Sequence, residues 1–247
     1  MILEKLEMST LMDFTPIDKE VAFQNYLQQL QKHIPIQYVL EEAYFYGKLF
    51  KVSPAVLIPR PETEELVHLI IQEQKNKTIH ILDIGTGSGC IPISLKINLP
   101  NATIDAIDIS HDALTIAKEN AFKLAVTVNF EQKDALNLKA DEFPLYDVIV
   151  SNPPYIAEKE KLEMDKGVLD YEPHLALFVA NENPLLFYDK ISDFALSNLK
   201  KEGVLYFEIN QSLGKETQEL LYKKGFDAVI IKDINQNDRI IKAQLRG

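Results

Sequence analysis

From residue 78 onward, short apolar runs alternate with stretches of helical period, and few folds accept that pattern. Residues 79–84, 103–108, 126–131, 146–151, 203–209 and 226–231 read as strands. Residues 91–97, 113–122, 184–199 and 215–223 read as the helices between or after them. Strands joined through helices predict an α/β fold, a largely parallel sheet covered by helices on both faces. Residues 239–245 form one more strand with no room for a helix before it, so it must pair antiparallel with a neighbour.

The rest of the chain is organised differently. Up to residue 34, Ile2, Leu3, Leu6, Val21, Phe23, Tyr26, Leu27 and Leu30 recur at helical spacing. Thr15-Pro16 is expected to interrupt this region and Pro35 to end it. In 36–59, aromatic and β-branched residues surround Gly47-Lys48, which predicts a β-hairpin. The expected organisation is a helical cap over 1–34, a hairpin linker over 35–60 and the α/β domain over 61–247. Thr63 is a candidate N-cap for the helix that opens the domain.

Charge and cysteine content remove some functions. Lys plus Arg number 26 and Asp plus Glu 37, a net charge of −11. That balance opposes a protein that lives by neutralising duplex phosphates. With 1 Cys, no intramolecular disulfide and no cysteine-based zinc site can form, and no metal site is expected. Glu4, Lys5 and Glu7 interrupt what would be a signal peptide, and no apolar run approaches the ~18 residues of a membrane span. A cytoplasmic protein without membrane contact is expected.

Between the first strand of the domain and its helix lies Asp83-Ile84-Gly85-Thr86-Gly87-Ser88-Gly89. Three glycines let the backbone turn sharply and come close to a ligand. The dinucleotide fingerprint wants Gly or Ala three residues after the second glycine, and Cys90 stands there. A Walker lysine is also missing. A G-x-G-x-G loop preceded by an acidic residue suits S-adenosylmethionine, with Gly85, Thr86, Gly87, Ser88 and Gly89 as the cradle. A tight turn without ligand is the bland alternative. Asp108, at the end of the next strand and about 20 residues on, suits an acceptor for both ribose hydroxyls. It could instead cap the following helix, a role Ser110 could also fill.

Ser151-Asn152-Pro153-Pro154-Tyr155 follows the fourth strand. Two prolines fix an extended turn that neither helix nor ladder can absorb. The Asn152 side-chain carbonyl and the Pro153 backbone carbonyl can together accept both hydrogens of a planar NH2 group, drawing its nitrogen out of conjugation. Tyr155 offers a flat face for the same group. A rigid loop with a buried tyrosine is the structural alternative.

These residues resemble the amino-methyltransferases that act on planar NH2 groups. With Pro35–Tyr38, Val56 through Glu64, and Asp83 through Ile91, the chain is similar from about residue 35 to its end to the peptide chain release factor glutamine methyltransferases (the PrmC/HemK family). The resemblance implies a class I methyltransferase fold: a Rossmann-like sheet with an antiparallel last strand. It also implies methyl transfer from S-adenosylmethionine to the glutamine amide of the Gly-Gly-Gln motif in class I release factors. Gly85–Gly89, Asp108, Ala135 and Asn152 would then bind the cofactor, and Asn152, Pro153, Pro154 and Tyr155 the glutamine, with Asn152, Pro153 and Tyr155 catalytic. Where the family often has an aromatic residue after the acid that follows the third strand, Ala135 follows Asp134; Phe130 or Leu136 is then expected against the adenine. The helical region before residue 35 is shorter than the family's. A DNA adenine methyltransferase shares the Asn-Pro-Pro-Tyr motif, but no basic target-recognition segment is visible and no nucleic-acid substrate is expected. A non-catalytic cofactor-binding module is the third reading, opposed by the intact motif.

Overall fold

The structure, a computed structural model, describes residues 16–247. The expected helicity around Ile2, Leu3 and Leu6 lies outside the described residues. Helix α1 (Pro16–Gln31) opens on the proline itself, whose missing N–H costs nothing in a first turn. A short helix α2 (Ile36–Leu40) then occupies the beginning of the segment expected as hairpin. The hairpin proper is β1 (Glu42–Phe45) and β2 (Lys48–Lys51), closed by the two-residue turn Tyr46-Gly47. Both turn residues have positive φ, 47° and 70°. That is the twist a two-residue hairpin prefers, and it places strain on Tyr46.

Helix α3 (Pro61–Gln74) starts two residues before the expected cap. Pro61 takes the first helical position, so Thr63 falls within the first turn and its hydroxyl points elsewhere. The α/β body follows as β3 (His80–Ile84), α4 (Cys90–Asn98), β4 (Thr103–Asp108), α5 (His111–Lys123), β5 (Asn129–Gln132) and β6 (Tyr146–Ser151). After β6 come β7 (Ile156–Ala157), α6 (Lys166–Tyr171), α7 (His174–Leu177) and β8 (Phe178–Val179). The chain ends with α8 (Leu186–Asn198), β9 (Leu199–Glu208), α9 (Gly214–Lys223), β10 (Phe226–Lys232) and β11 (Asp238–Leu245).

Seven strands form the main sheet in the order β10-β11-β9-β6-β3-β4-β5. The strands from β9 to β5 run parallel, and β11 enters antiparallel to both β9 and β10, as its short approach required. Neighbouring residues on a strand serve opposite faces. Ile81, Val148, Val150 and Tyr206 pack under α3 and α4, while Leu82, Ile149, Leu205 and Phe207 pack under α8 and α9. This double burial explains the unbroken apolar runs of the central strands. Chain order reverses between β3 and β6, and the crevice beyond that switch point is where open α/β sheets hold ligands.

The linker packs on the body. Val52, Val56 and Ile58 share a cluster with Ala113 and Ile116 of α5. Asn120, fully buried on the same helix, accepts from Lys51 N at 2.6 Å and donates to Lys51 O at 3.0 Å and Ser88 O at 2.9 Å. One side chain thus ties the hairpin to the glycine loop.

Candidate active site

At the switch point, Gly85 and Thr86 turn back on β4, both donating backbone N–H groups to Ile107 O at 2.9 and 3.0 Å. Gly85, Gly87 and Gly89 all have positive φ (79°, 54° and 78°), a conformation that side chains resist. At Gly85 and Gly87 the space a Cβ would occupy is open, which leaves room for a ligand. At Gly89 it is not: a Cβ would meet Ile93 Cδ1 at 3.0 Å and Ala117 Cβ at 3.1 Å. Gly89 therefore serves the packing of α4 on α5 and does not line the cleft, unlike the other four residues of the loop.

The cleft beyond the loop has a volume of about 240 Å³. One wall is the glycine loop with Asp108, another is Lys133–Leu136, a third is Asn152–Pro154, and Ala55–Leu57, Pro59 and Arg60 with Thr63 of α3 close the side. Ala135 and Leu136 line it with Ile107 and Ile109, an apolar surface suited to a flat heterocycle. Phe130 does not join them, because its ring packs with the cluster beneath α3 and α4 on the other side of the sheet. Leu136, not Phe130, stands where the missing aromatic was expected.

Asp108 is largely buried and works already without ligand. It accepts from Gly87 N at 2.8 Å and from Ser110 N at 2.9 Å, while Ser110 Oγ caps α5 by accepting from Ala113 N at 3.1 Å. Burial raises the Asp108 carboxyl, and the backbone amides of Ser110, Gly87 and Ile109 counter it. Asp83 is more exposed to conflict. It is fully buried, neither carboxylate oxygen has a hydrogen-bond partner among the described residues, and burial lifts its pKa to about 7. The Thr86 hydroxyl offsets part of that lift without reaching hydrogen-bond geometry, and the Asp108 charge adds to it. A buried carboxyl left in this state asks for a cation.

The second loop is fixed by side chains. Ser151 Oγ donates to Ile84 O at 2.6 Å, stitching the ends of β6 and β3 together. Asn152 Nδ2 donates to Thr63 Oγ1 at 3.3 Å, and Thr63 Oγ1 donates to Glu208 Oε2 at 2.6 Å. Tyr155 departs from the expectation of a flat platform. Its ring packs with the apolar cluster under α8, its hydroxyl donates to Glu208 Oε1 at 3.3 Å, and it does not line the cleft. Burial is the main cause that raises the Glu208 carboxyl, countered by Thr63, Arg239 and Tyr155.

Two further contacts close the site. Glu172, buried, takes the Arg60 guanidinium at 2.6 Å and the Ile58 N–H at 3.1 Å. It draws the loop before α7 onto the linker, and Leu175 and Ala176 of that helix reach the cleft beside Phe187. Glu172 and Glu208 are tied to the site by contacts that span the chain. Their partners are 112 and 145 residues away, so no local pattern shows them.

A glycine turn beneath a switch point, an acid at the end of β4 and an antiparallel last strand define a class I methyltransferase. Residues 63–168 match the family described as "Methyltransferase small domain". The fold resembles a methyltransferase from Pyrococcus furiosus (TM-score 0.61, 16% identity, 90% of this chain and 98% of that one). It also resembles a ribosomal protein L11 methylase from Lactobacillus delbrueckii (TM-score 0.54, 20% identity, 76% and 81%). In sequence, the chain is 52% identical to the release factor glutamine methyltransferase of Flavobacterium psychrophilum over 92% of its own length and 81% of the relative's. The counterpart from Bacteroides thetaiotaomicron is 48% identical over 91% and 81%. This chain belongs to the release factor glutamine methyltransferases. Its cofactor is S-adenosylmethionine, which the cleft fits: open space over two glycines, an apolar wall at Ala135 and Leu136, and, at the root of the glycine loop rather than in the cleft lining, the unpaired buried carboxyl of Asp83.

Proposed function

We propose that this chain methylates the side-chain amide of a glutamine in a class I peptide chain release factor, at the Gly-Gly-Gln motif. The observation that carries the reading is the sharing of one cleft by the glycine loop and the Asn152–Pro154 turn. Bound S-adenosylmethionine supplies an electrophilic methyl group on a sulfonium. Gly85–Ser88 and Asp108 hold it, with Ala135 and Leu136 against the adenine. Asn152 Oδ1 and the Pro153 carbonyl accept the two amide hydrogens of the glutamine. That pairing pyramidalises the nitrogen and aims its lone pair along the transfer line, a contribution of alignment and polarisation. Pro154 packs beside the substrate. Tyr155 acts from behind the turn, as an anchor to Glu208.

The negative overall charge and the largely apolar cleft lining favour a peptide loop over a flipped base. Release factors act in translation, so the cytoplasm is the matching compartment. Among the described residues, no helix is long and apolar enough to cross a membrane. On this reading α1 and the linker form the face toward the release factor, and the body from residue 61 performs the transfer.

Incubation with S-adenosylmethionine labelled in its methyl group and, in parallel, purified release factor or duplex DNA tests the reading. Label is expected on the glutamine of the Gly-Gly-Gln loop. Label on adenine, or on neither, would overturn it.

A further inference from the structure

The proposed function, on which this inference rests, requires Asn152 to offer its carbonyl to the substrate and not its NH2 group. A carboxamide turned by half a revolution has almost the same shape but the opposite hydrogen-bonding character. Packing alone does not choose between the two. Thr63 and Glu208 stand in line behind the NH2 end of Asn152.

An ionised carboxylate can only accept hydrogen bonds. Glu208 Oε2 lies 2.6 Å from the Thr63 hydroxyl, a short contact of the charge-assisted kind. Thr63 has a single proton, and that contact consumes it. Toward Asn152, 3.3 Å away, Thr63 then has lone pairs alone. The end of Asn152 that answers lone pairs is NH2, and Oδ1 is left over. Thr63 and Glu208 are 2% and 1% exposed, so bulk water does not compete for either contact. The second oxygen of Glu208 accepts from Tyr155, the last residue of the same turn. One carboxylate thus grips the turn at both ends, directly at Tyr155 and through Thr63 at Asn152.

We propose that Thr63 and Glu208 are positioning residues that set the polarity of the Asn152 carboxamide, keeping its carbonyl available to the substrate NH2. The relay joins three elements distant in sequence: the first turn of α3, the end of β9 and the turn after β6. Seating of the linker and α3 on the body is therefore coupled to the orientation of the reacting loop. A merely structural tie would depend on the number of hydrogen bonds. The relay depends on their direction.

Three variants separate the two. Thr63→Val removes the hydroxyl at nearly constant shape. Thr63→Ser keeps it. Glu208→Gln keeps a partner for Thr63 but supplies an NH2 that can donate, which frees the Thr63 proton to turn toward Asn152 and draw its carbonyl away. Two measurements are made on the full chain. The Asn152 side-chain amide is followed by nitrogen-15 NMR without substrate, where a donated hydrogen bond slows exchange of its protons. Single-turnover methylation of purified release factor is measured at saturating S-adenosylmethionine.

The expected result is slow exchange of the Asn152 amide in the natural protein and in Thr63→Ser, and fast exchange in Thr63→Val and Glu208→Gln. The single-turnover rate should fall by about tenfold or more in the latter two and recover most of its value in Thr63→Ser, with KM for release factor changed by less than about threefold. Equal exchange in the natural protein and Thr63→Val, or a change confined to KM, would overturn the relay. If Thr63→Val does not fold, Glu208→Gln against Thr63→Ser decides by the same criteria. Absence of methylation by the natural protein would strike the proposed function alone, since the amide exchange still reports the relay.

Discussion

The two halves of the cleft are built in contrasting ways. The proposed cofactor half takes its polar contacts from one stretch of chain, residues 83–110, mostly backbone donors on Asp108 or a strand carbonyl, and adds only the apolar Ala135 and Leu136 from further on. The substrate half draws on Arg60 and Thr63, Ser151–Tyr155, Glu172 and Glu208, and its contacts are mostly between side chains. Backbone donors in a loop survive most substitutions, whereas a side-chain assembly fails when one member is replaced. Damage should therefore spread through the substrate half and stay local in the cofactor half.

The largest expected effect is at Asn152. Asn152→Ala should lower the single-turnover rate by ~100-fold or more, because misplacing a reacting group by about 1 Å costs that much. Cofactor affinity should move far less. A near-normal rate at saturating substrate would reduce Asn152 to a loop former and remove the chemistry from this half.

Next comes Asp108→Ala, which should weaken cofactor binding tenfold to over a hundredfold, from the loss of charge-assisted hydrogen bonds worth roughly 1.5–3 kcal/mol. Calorimetry reads it directly. Since Asp108 also holds Gly87 N and Ser110 N, the glycine loop should loosen with it, while methylation at saturating cofactor stays close to normal. A fall in rate at saturation would mean the halves are not separable.

Asp83 supplies a pH test of the cofactor half. Its folded pKa, about 7 against an ordinary 3.8, means that it is protonated in the ligand-free protein below neutrality. A cation bound beside it favours the charged form, so binding must release that proton between those two values. Affinity for S-adenosylmethionine should then rise as pH increases toward 7, by up to about tenfold per unit, and flatten above. Asp83→Asn should abolish the slope and so separate it from Asp108, whose carboxyl burial also raises. A slope unchanged in Asp83→Asn would assign it elsewhere.

The same contrast explains what the sequence disclosed. Periodicity placed the strands of the main sheet: the central β3, β6 and β9 leave apolar runs because both faces are buried, while the edge strands β5 and β10 are largely exposed and show only a weaker alternation. The glycine loop was legible because its demands are local, down to the open space over Gly85 and Gly87. Gly89 looked like its neighbours, yet it answers to Ile93 and Ala117, and only packing shows that. Thr63 had the character of a cap and was claimed by Glu208 instead. Tyr155 had the character of a platform, and the buried carboxylate drew its hydroxyl away from the cleft. Residues 36–40 carried aromatic and branched side chains that suit a strand, but Pro35 starts a helical turn that buries Tyr38, Val39 and Leu40.

The smallest effect expected is at the clamp between Arg60 and Glu172, and it tests whether the linker belongs to the substrate half. Glu172 is buried while the Arg60 side chain remains one-third exposed (33% against 1%), so solvent screens the pair from one side. Removing Arg60 leaves a buried carboxylate with the Ile58 N–H and loses a partly screened ion pair, which should cost about 1–2 kcal/mol in denaturant unfolding. Glu172→Gln is milder, since a neutral amide still accepts from Ile58 and no charge is stranded. The two variants should differ in stability yet share one functional outcome. Both break or weaken the tie of the α7 loop to Arg60 while keeping that to Ile58, so both should raise KM for release factor a few-fold while leaving the cofactor dissociation constant unchanged. Equal weakening of cofactor and release factor would instead make the linker a support for the whole cleft, and the two halves would have to be treated as one.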